Sequence, residues 1–195
     1  AGEPAPEGNM NPIVYVGGYH NSVSCYSFDV NSGELKPLST SDGGKNPTYM
    51  AWHPNRKFMY AANEVGDGRI AAFSINAKDG ALTRLNDGSA NGKGTCHVSV
   101  HKSGKWAFAA NYSSGTIAVL PVNADGTVGE PAFKDQPGLN AHMIITDAPG
   151  KHVFVPCLGS NHVAQYILDE ATGQLKANTP ATFPTVKGAG PRHLA

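Results

Sequence analysis

Three histidines and one arginine stand at corresponding places in a repeated pattern, and their chemistry points to a polar site. His97 and His142 each open a short apolar stretch, and Arg192 and His193 stand side by side where another such stretch begins. Imidazole titrates near neutrality, so it suits general acid or base work. Arginine suits a carboxylate, a phosphate or a developing oxyanion. This mixture favours a small anionic substrate with a carbonyl centre.

Two other interpretations of these residues stay open. In one, the histidines cap strands and hydrogen-bond backbone carbonyls without any chemistry. In the other, three histidines hold a metal ion, or Asn63, Glu64 and Asn111 supply oxygen ligands to calcium. The carboxylates are too few for a calcium set, and histidines from different repeats are held apart by the fold. We therefore predict neither a metal nor another cofactor.

A repeat of strands and turns positions these residues. Alternating apolar runs, each typical of a strand, end at Gly18, Asn63, Asn111 and Cys157, which lie 45 to 48 residues apart. Another strand, a glycine turn and a weaker strand follow each run. The weaker strands begin near Leu35, Leu82, Val128 and Leu175. A leading strand precedes each run after the first, starting near Thr48, Cys96 and Ala141, and the final RHLA begins another. Four strands in one repeat of this length predict a β-propeller blade.

The repeat also predicts the domain organisation. Residues 1–10, which are rich in proline and glycine, read as a flexible leader, and residues 11–195 as a partial β-propeller domain. The first unit lacks a leading strand, and RHLA is a leading strand alone. We therefore expect an all-β fold with about four blades of four antiparallel strands, a fragment from the N-terminal half of a longer propeller. The remaining blades would belong to the same chain or to a separate one.

In a propeller, the leading strand of each blade lines the central channel. Its start and the end of the following strand open on the same face. We therefore expect His97, His142 and His193 to stand in register on that face, with Glu64 and Asn111 beside them. His97, His193, Asn111 and Glu64 are predicted to bind the substrate. His53 and His101, at the far ends of leading strands, are predicted turn residues on the opposite face.

Composition narrows the choice of partners. The chain has 15 basic and 15 acidic residues and no basic cluster, which argues against nucleic acid or an anionic membrane surface. No apolar run approaches the roughly 18 residues that a membrane helix needs. A cytoplasmic location is predicted, with the periplasm as the alternative if Ala1 is left by cleavage of a signal peptide.

Three segments resemble the seven-bladed β-propeller lactonases, a family that includes bacterial 6-phosphogluconolactonase. TVKGAGPRHLA (185–195) resembles their GPRH segment, and AHMIITDAPGKHVFVPCLGSNHV (141–163) resembles the segment before it. NPTYMAWHPNRKFMYAANE (46–64) matches their recurring blade signature. The resemblance implies a lactone hydrolase without a metal. His142 and Arg192 match the positions proposed to be catalytic in the family, and a further glutamate and arginine of that site would fall beyond Ala195.

The resemblance thus implies hydrolysis of 6-phosphogluconolactone to 6-phosphogluconate, a step of the pentose phosphate pathway. Two alternatives remain at this point. One is a carboxymuconate lactonising or cyclase-type enzyme, which acts on a non-phosphorylated acid. The other is a propeller that only binds other molecules, because fold does not determine function.

Overall fold

Four antiparallel sheets follow one another along the chain in the computed structural model, which describes residues 12–195. The first sheet has three strands, β1 (Ile13–Val16), β2 (Ser22–Phe28) and β3 (Leu35–Asp42). The second has four, β4 (Pro47–Trp52), β5 (Phe58–Asn63), β6 (Arg69–Ile75) and β7 (Leu82–Ser89). The third contains β8 (Thr95–Val100), β9 (Trp106–Asn111), β10 (Thr116–Pro121) and β11 (Phe133–Asp135). The fourth contains β12 (Ile145–Thr146), β13 (His152–Cys157), β14 (His162–Asp169) and β15 (Gln174–Pro184).

These sheets are the blades of a propeller, as the sequence predicts. In each sheet, strands that are consecutive in the sequence are neighbours in space, so every blade is an up-and-down meander. The predicted leader at residues 1–10 lies outside the described residues. No helix long and apolar enough to cross a membrane occurs between residues 12 and 195.

The apolar core lies between the blades. Strands β5 and β9 are buried on both faces because a neighbouring blade covers each side, so the alternation expected from the sequence is absent in them and their residues are apolar up to the final asparagine. Between the second and third blades, Tyr60 and Ile70 pack with Val98 and Leu120. Small side chains such as Ala109 and Ala118 in the same cluster let the sheets approach closely.

Two histidines hydrogen-bond neighbouring blades to each other. They lie at the ends of the leading strands that are opposite to the site described below. His53 Nε2 lies 3.1 Å from the Gly104 carbonyl oxygen, and His101 Nε2 lies 2.9 Å from that of Gly150. A carbonyl oxygen only accepts, so each ring nitrogen donates. The prediction that these two histidines belong to turns rather than to the site is confirmed.

The structure differs from the predicted strands in three places. In the third blade the outermost strand begins at Phe133 rather than at Val128, because the Asn86 side chain bonds both the N–H and the carbonyl of Val128. In the fourth blade the leading strand is only Ile145–Thr146, and between Ala141 and Ile145 the ladder to β13 is interrupted. RHLA is not a strand, since leading strands pair with the strand that follows them and none follows among the described residues.

Candidate active site

A residue in the left-handed conformation precedes the leading segment of each blade after the first. Asn46, Gly94, Asn140 and Gly190 have φ angles of 52°, 67°, 54° and 55°. Asparagine and glycine are the residues that adopt this conformation most readily. The carbonyls of Asn46, Gly94 and Asn140 then accept hydrogen bonds from the residue just after the second strand of the same blade, at 2.9, 2.7 and 3.0 Å. Strand ends and leading segments are thereby held side by side.

A β-bulge follows in the second and third blades. Pro47 pairs with Asn63 and Tyr49 with Ala62, which leaves Thr48 without a partner in the register. Cys96 is bulged in the same way, between Thr95, which pairs with Asn111, and His97. Bulges next to functional sites turn a side chain in a direction that the regular pleat would not allow.

The two bulged side chains and their equivalents in the next two blades meet at one cavity. Each stands two residues after the left-handed residue of its blade, and together they are Thr48, Cys96, His142 and Arg192. The cavity has a volume of about 430 Å³, which lies within the range usual for small-molecule sites. Tyr19, Tyr49, Glu64, Tyr112 and His193 complete its lining.

This alignment corrects the sequence prediction by one residue in the fourth blade. His142 is equivalent to Cys96, and the residue equivalent to His97 is Met143. The prediction that His97, His142 and His193 stand in register is therefore wrong. His142 lines the cavity, and so do Tyr49 and His193, which are equivalent to His97. His97 itself does not line it, because its ring is buried beneath that of Tyr49.

Four of the six predicted site residues line the cavity, namely His142, Arg192, His193 and Glu64. His97 and Asn111, both predicted to bind substrate, lie outside it. His97 is 1% exposed, and Tyr49 covers it with ring centroids 4.2 Å apart. Asn111 is fully buried; its Nδ2 donates to the Ala90 carbonyl and to Thr116 Oγ1, and its Oδ1 accepts from Thr95 Oγ1 at 2.6 Å. Both side chains therefore contact other protein groups and not the cavity.

His142 lies beside two other aromatic rings that also line the cavity. Its ring meets that of Tyr112 edge to face at 5.7 Å and that of His193 at 5.1 Å. Burial lowers the pKa of His142, and the nearby His193 and Arg192 lower it further. The imidazole is therefore neutral at pH 7. Its Nδ1 is buried without a hydrogen-bond partner, so Nε2 is the nitrogen left for exchange with the cavity.

Opposite charges line the same cavity. Arg192 and Glu64 both line the cavity, and the Tyr19 hydroxyl donates to Glu64 Oε2 at 3.0 Å. This hydrogen bond and the charge of Glu64 raise the pKa of Tyr19. The Cys96 thiol is unsuited to nucleophilic attack, because burial, with a smaller effect of Glu64, raises its pKa to about 12.

Five lining residues were not assigned to the site from sequence. Four of them stand at the strand starts and strand ends that open on the predicted channel face, namely Thr48, Tyr49, Cys96 and Tyr112. Their residue types do not titrate near neutrality, so the sequence gives no reason to single them out. Tyr19 lies in the turn between β1 and β2 and is 76% exposed, and nothing in its local sequence distinguishes it. Among residues 12–195, no group of three or more His, Cys, Asp or Glu side chains is arranged to hold a metal ion.

Fold and site together define the class. Four-stranded blades in sequence order, with polar side chains from successive leading segments gathered at one cavity, are the arrangement of a β-propeller with a small-molecule site. Residues 13–195 match the family described as "Lactonase, 7-bladed beta-propeller", and the chain belongs to that family.

Individual lactonases are similar to this chain in sequence and in structure. The chain is 35% identical over 188 residues to a 6-phosphogluconolactonase of Pectobacterium carotovorum, with 95% of this chain and 55% of that protein covered. It is 32% identical over 199 residues to a 6-phosphogluconolactonase of Bacillus subtilis, covering 94% and 56%. A solved periplasmic gluconolactonase of Pseudomonas aeruginosa superposes with a TM-score of 0.85 at 27% identity, covering 93% and 57%. The chain thus spans about half the length of the curated relatives it matches.

Proposed function

We propose that the protein is a lactone hydrolase that opens the ring of a sugar-acid lactone, with 6-phosphogluconolactone as the substrate. The observation that carries this proposal is the meeting of His142 and Arg192 at equivalent positions of neighbouring leading segments on one cavity. One supplies a neutral base and the other a fixed positive charge. Membership of the lactonase family and the names of the relatives support the same reaction.

The two side chains divide the chemistry between them. His142 Nε2 takes a proton from water as the water oxygen attacks the lactone carbonyl carbon. Arg192 stabilises the negative charge that develops on the carbonyl oxygen. When the tetrahedral intermediate collapses, the bond between the acyl carbon and the ring oxygen breaks. The imidazolium returns its proton to that oxygen, so one water is consumed and a hydroxy acid is formed.

The rest of the cavity suits the remainder of a sugar acid. Glu64, held by Tyr19, is an acceptor for substrate hydroxyls, and the faces of Tyr49 and Tyr112 can pack against a sugar ring. His193 lies against His142 and adds to the effect of burial, which lowers the pKa of His142. Because the relatives are nearly twice as long as this chain, the proposed activity is that of the whole propeller, whose further blades we expect to contribute to the same cavity.

A second substrate is favoured by one comparison. The Pseudomonas aeruginosa relative is described as a gluconolactonase, which indicates that a site of this kind accepts a lactone without phosphate. Among the lining residues, Arg192 is the one with a permanent positive charge, and Glu64 opposes it. Unphosphorylated gluconolactone is therefore the competitor to test beside the phosphorylated lactone.

The test is acid release from both lactones by the whole protein, measured against their spontaneous hydrolysis. We expect catalysis in the wild type and a loss of at least about tenfold in kcat/KM for H142A, since a positioned base supplies ~10²–10⁴-fold. H152A is the matched control, because His152 begins β13 and pairs with Asp147 at 2.8 Å, away from the cavity lining. No rate above the spontaneous one would leave the protein as a binding module, and equal losses in both variants would reject His142 as the base.

A further inference from the structure

A buried hydrogen-bond acceptor occurs at the same position in two successive blades. In the third blade, His97 Nδ1 accepts a hydrogen bond from the backbone N–H of Ile144 at 3.4 Å. In the fourth, Met143 Sδ accepts one from the backbone N–H of Leu194 at 3.2 Å. In both cases the donor belongs to the next blade's leading segment.

Both donors lie at the same separation in sequence from a proposed catalytic residue. Ile144 comes two residues after His142, and Leu194 two residues after Arg192. Each acceptor therefore reaches across a blade boundary and fixes the backbone that carries one cavity side chain. A cavity residue and its acceptor thus lie in different blades, and the acceptor itself does not line the cavity.

The contacts around Ile144 show why such a bond matters. Ser99 Oγ donates to the Ile144 carbonyl at 2.6 Å, so side chains of β8 take both backbone groups of this residue. The Cys96 thiol lies 3.4 Å from the His142 carbonyl oxygen and completes the set. These bonds come where the ladder between the fourth blade's leading segment and β13 is interrupted. The neighbouring blade therefore holds the backbone of Ile144, while the N–H of His142 still donates to the Pro156 carbonyl of β13 at 3.0 Å.

The bond also determines the state of His97. A backbone N–H can only donate, so Nδ1 must carry a lone pair, and the ring is neutral with its proton on Nε2. Burial lowers the pKa of His97 to about 3, with smaller effects of His193 and His142. His97 therefore serves as a permanent acceptor over the whole physiological range of pH.

We propose that His97 and Met143 are positioning residues, each of which sets the place of the cavity residue in the following blade, His142 and Arg192 respectively. The proposal rests on the proposed lactonase function for its kinetic readout. Its structural content, that His97 determines the environment of the His142 ring, is independent of any activity.

The first experiment compares H97L with H97N in the whole protein. Leucine keeps a buried side chain of similar size without an acceptor, whereas in H97N the amide oxygen can take the position of Nδ1. We expect kcat to fall at least about tenfold in H97L and to stay within about threefold of wild type in H97N, in keeping with the range for one displaced base. Equal kinetics in the two variants would overturn the proposal.

H101L is the matched control. His101 is as buried as His97 and directly follows β8, the strand that contains His97. It also hydrogen-bonds a backbone group of the next blade, but at the face opposite to the cavity. We expect H101L to lower the melting temperature like H97L while leaving kcat unchanged. A loss of kcat that follows the melting temperature equally in both variants would reduce His97 to an ordinary core residue.

The second readout needs no turnover. The His142 imidazole is titrated by NMR in wild type, H97L and H97N. Released from its buried place, the ring should return toward the ordinary pKa of about 6.5 in H97L but not in H97N. An unchanged His142 titration in H97L would refute the positioning role. If no lactone is hydrolysed, the proposed function fails while this titration still decides the present inference.

The Met143 arm uses a substitution that cores usually tolerate. M143L keeps a similar volume and removes the sulfur acceptor. Because Arg192 holds the carbonyl oxygen, M143L should raise KM or lower kcat by at least about threefold, with the melting temperature close to wild type. Wild-type kinetics in M143L would refute the Met143 half of the proposal and leave the His97 half to its own test.

Discussion

The buried neutral His97 gives the protein a specific acid sensitivity. Its ring is 1% exposed, and its pKa is lowered to about 3 mainly by burial. In the unfolded chain an imidazole has a pKa of about 6.5. As the pH falls below that value, the unfolded state binds a proton that the folded state refuses, so stability is lost with acidification.

The size of the effect follows from the two pKa values. At pH 5 the folded ring is still neutral, while the unfolded ring is almost fully protonated. Between pH 7 and pH 5 the free energy of unfolding therefore falls by about 2 kcal/mol on account of His97 alone. The loss continues down to the folded pKa near 3 and then stops.

H97N isolates this contribution, because asparagine does not titrate. Urea denaturation of wild type and H97N at pH 7 and pH 5 gives four unfolding free energies. The fall between the two pH values should be about 2 kcal/mol smaller in H97N, whatever the variant costs at either pH. Titration of the carboxylates and of the other histidines is common to both proteins and cancels. The same pH dependence in both proteins would show that His97 titrates normally in the fold, and the assigned burial would be wrong.

Two further outcomes separate structural from chemical roles. N111A removes a side chain whose amide donates to Ala90 and Thr116 and accepts from Thr95. We expect the free energy of unfolding, measured by urea denaturation, to fall by about 2–4 kcal/mol, with kcat at low temperature unchanged. A large loss of kcat without destabilisation would return Asn111 to the substrate site. R192Q removes a positive charge that lowers the His142 pKa, so an NMR titration should show that pKa moving upward, and a downward movement would contradict the assigned electrostatic effect of Arg192.

Much of the architecture was predictable because it is written once per blade. The runs that end at Asn63, Asn111 and Cys157 form the second strands of their blades, with β5, β9 and β13 ending at these residues. Glycine and asparagine mark the left-handed positions, a local requirement that sequence expresses directly. The presence of His142, Arg192, His193 and Glu64 in one place followed from the same repeat, whereas family membership followed from the resemblance of segments 46–64, 141–163 and 185–195.

The sequence by itself determined the period, the blade and the side chains available for chemistry, since these depend on local pattern and residue type. Only the tertiary structure decided which of those side chains reach the cavity. β-Bulges add one residue to two leading strands, at Thr48 and Cys96, and these two side chains and the equivalent His142 line the cavity. His97 follows Cys96 directly, yet its ring is buried beneath Tyr49 and accepts a hydrogen bond from the N–H of Ile144 in the next blade. Its place depends on contacts between residues about 47 positions apart in sequence, which no local pattern records.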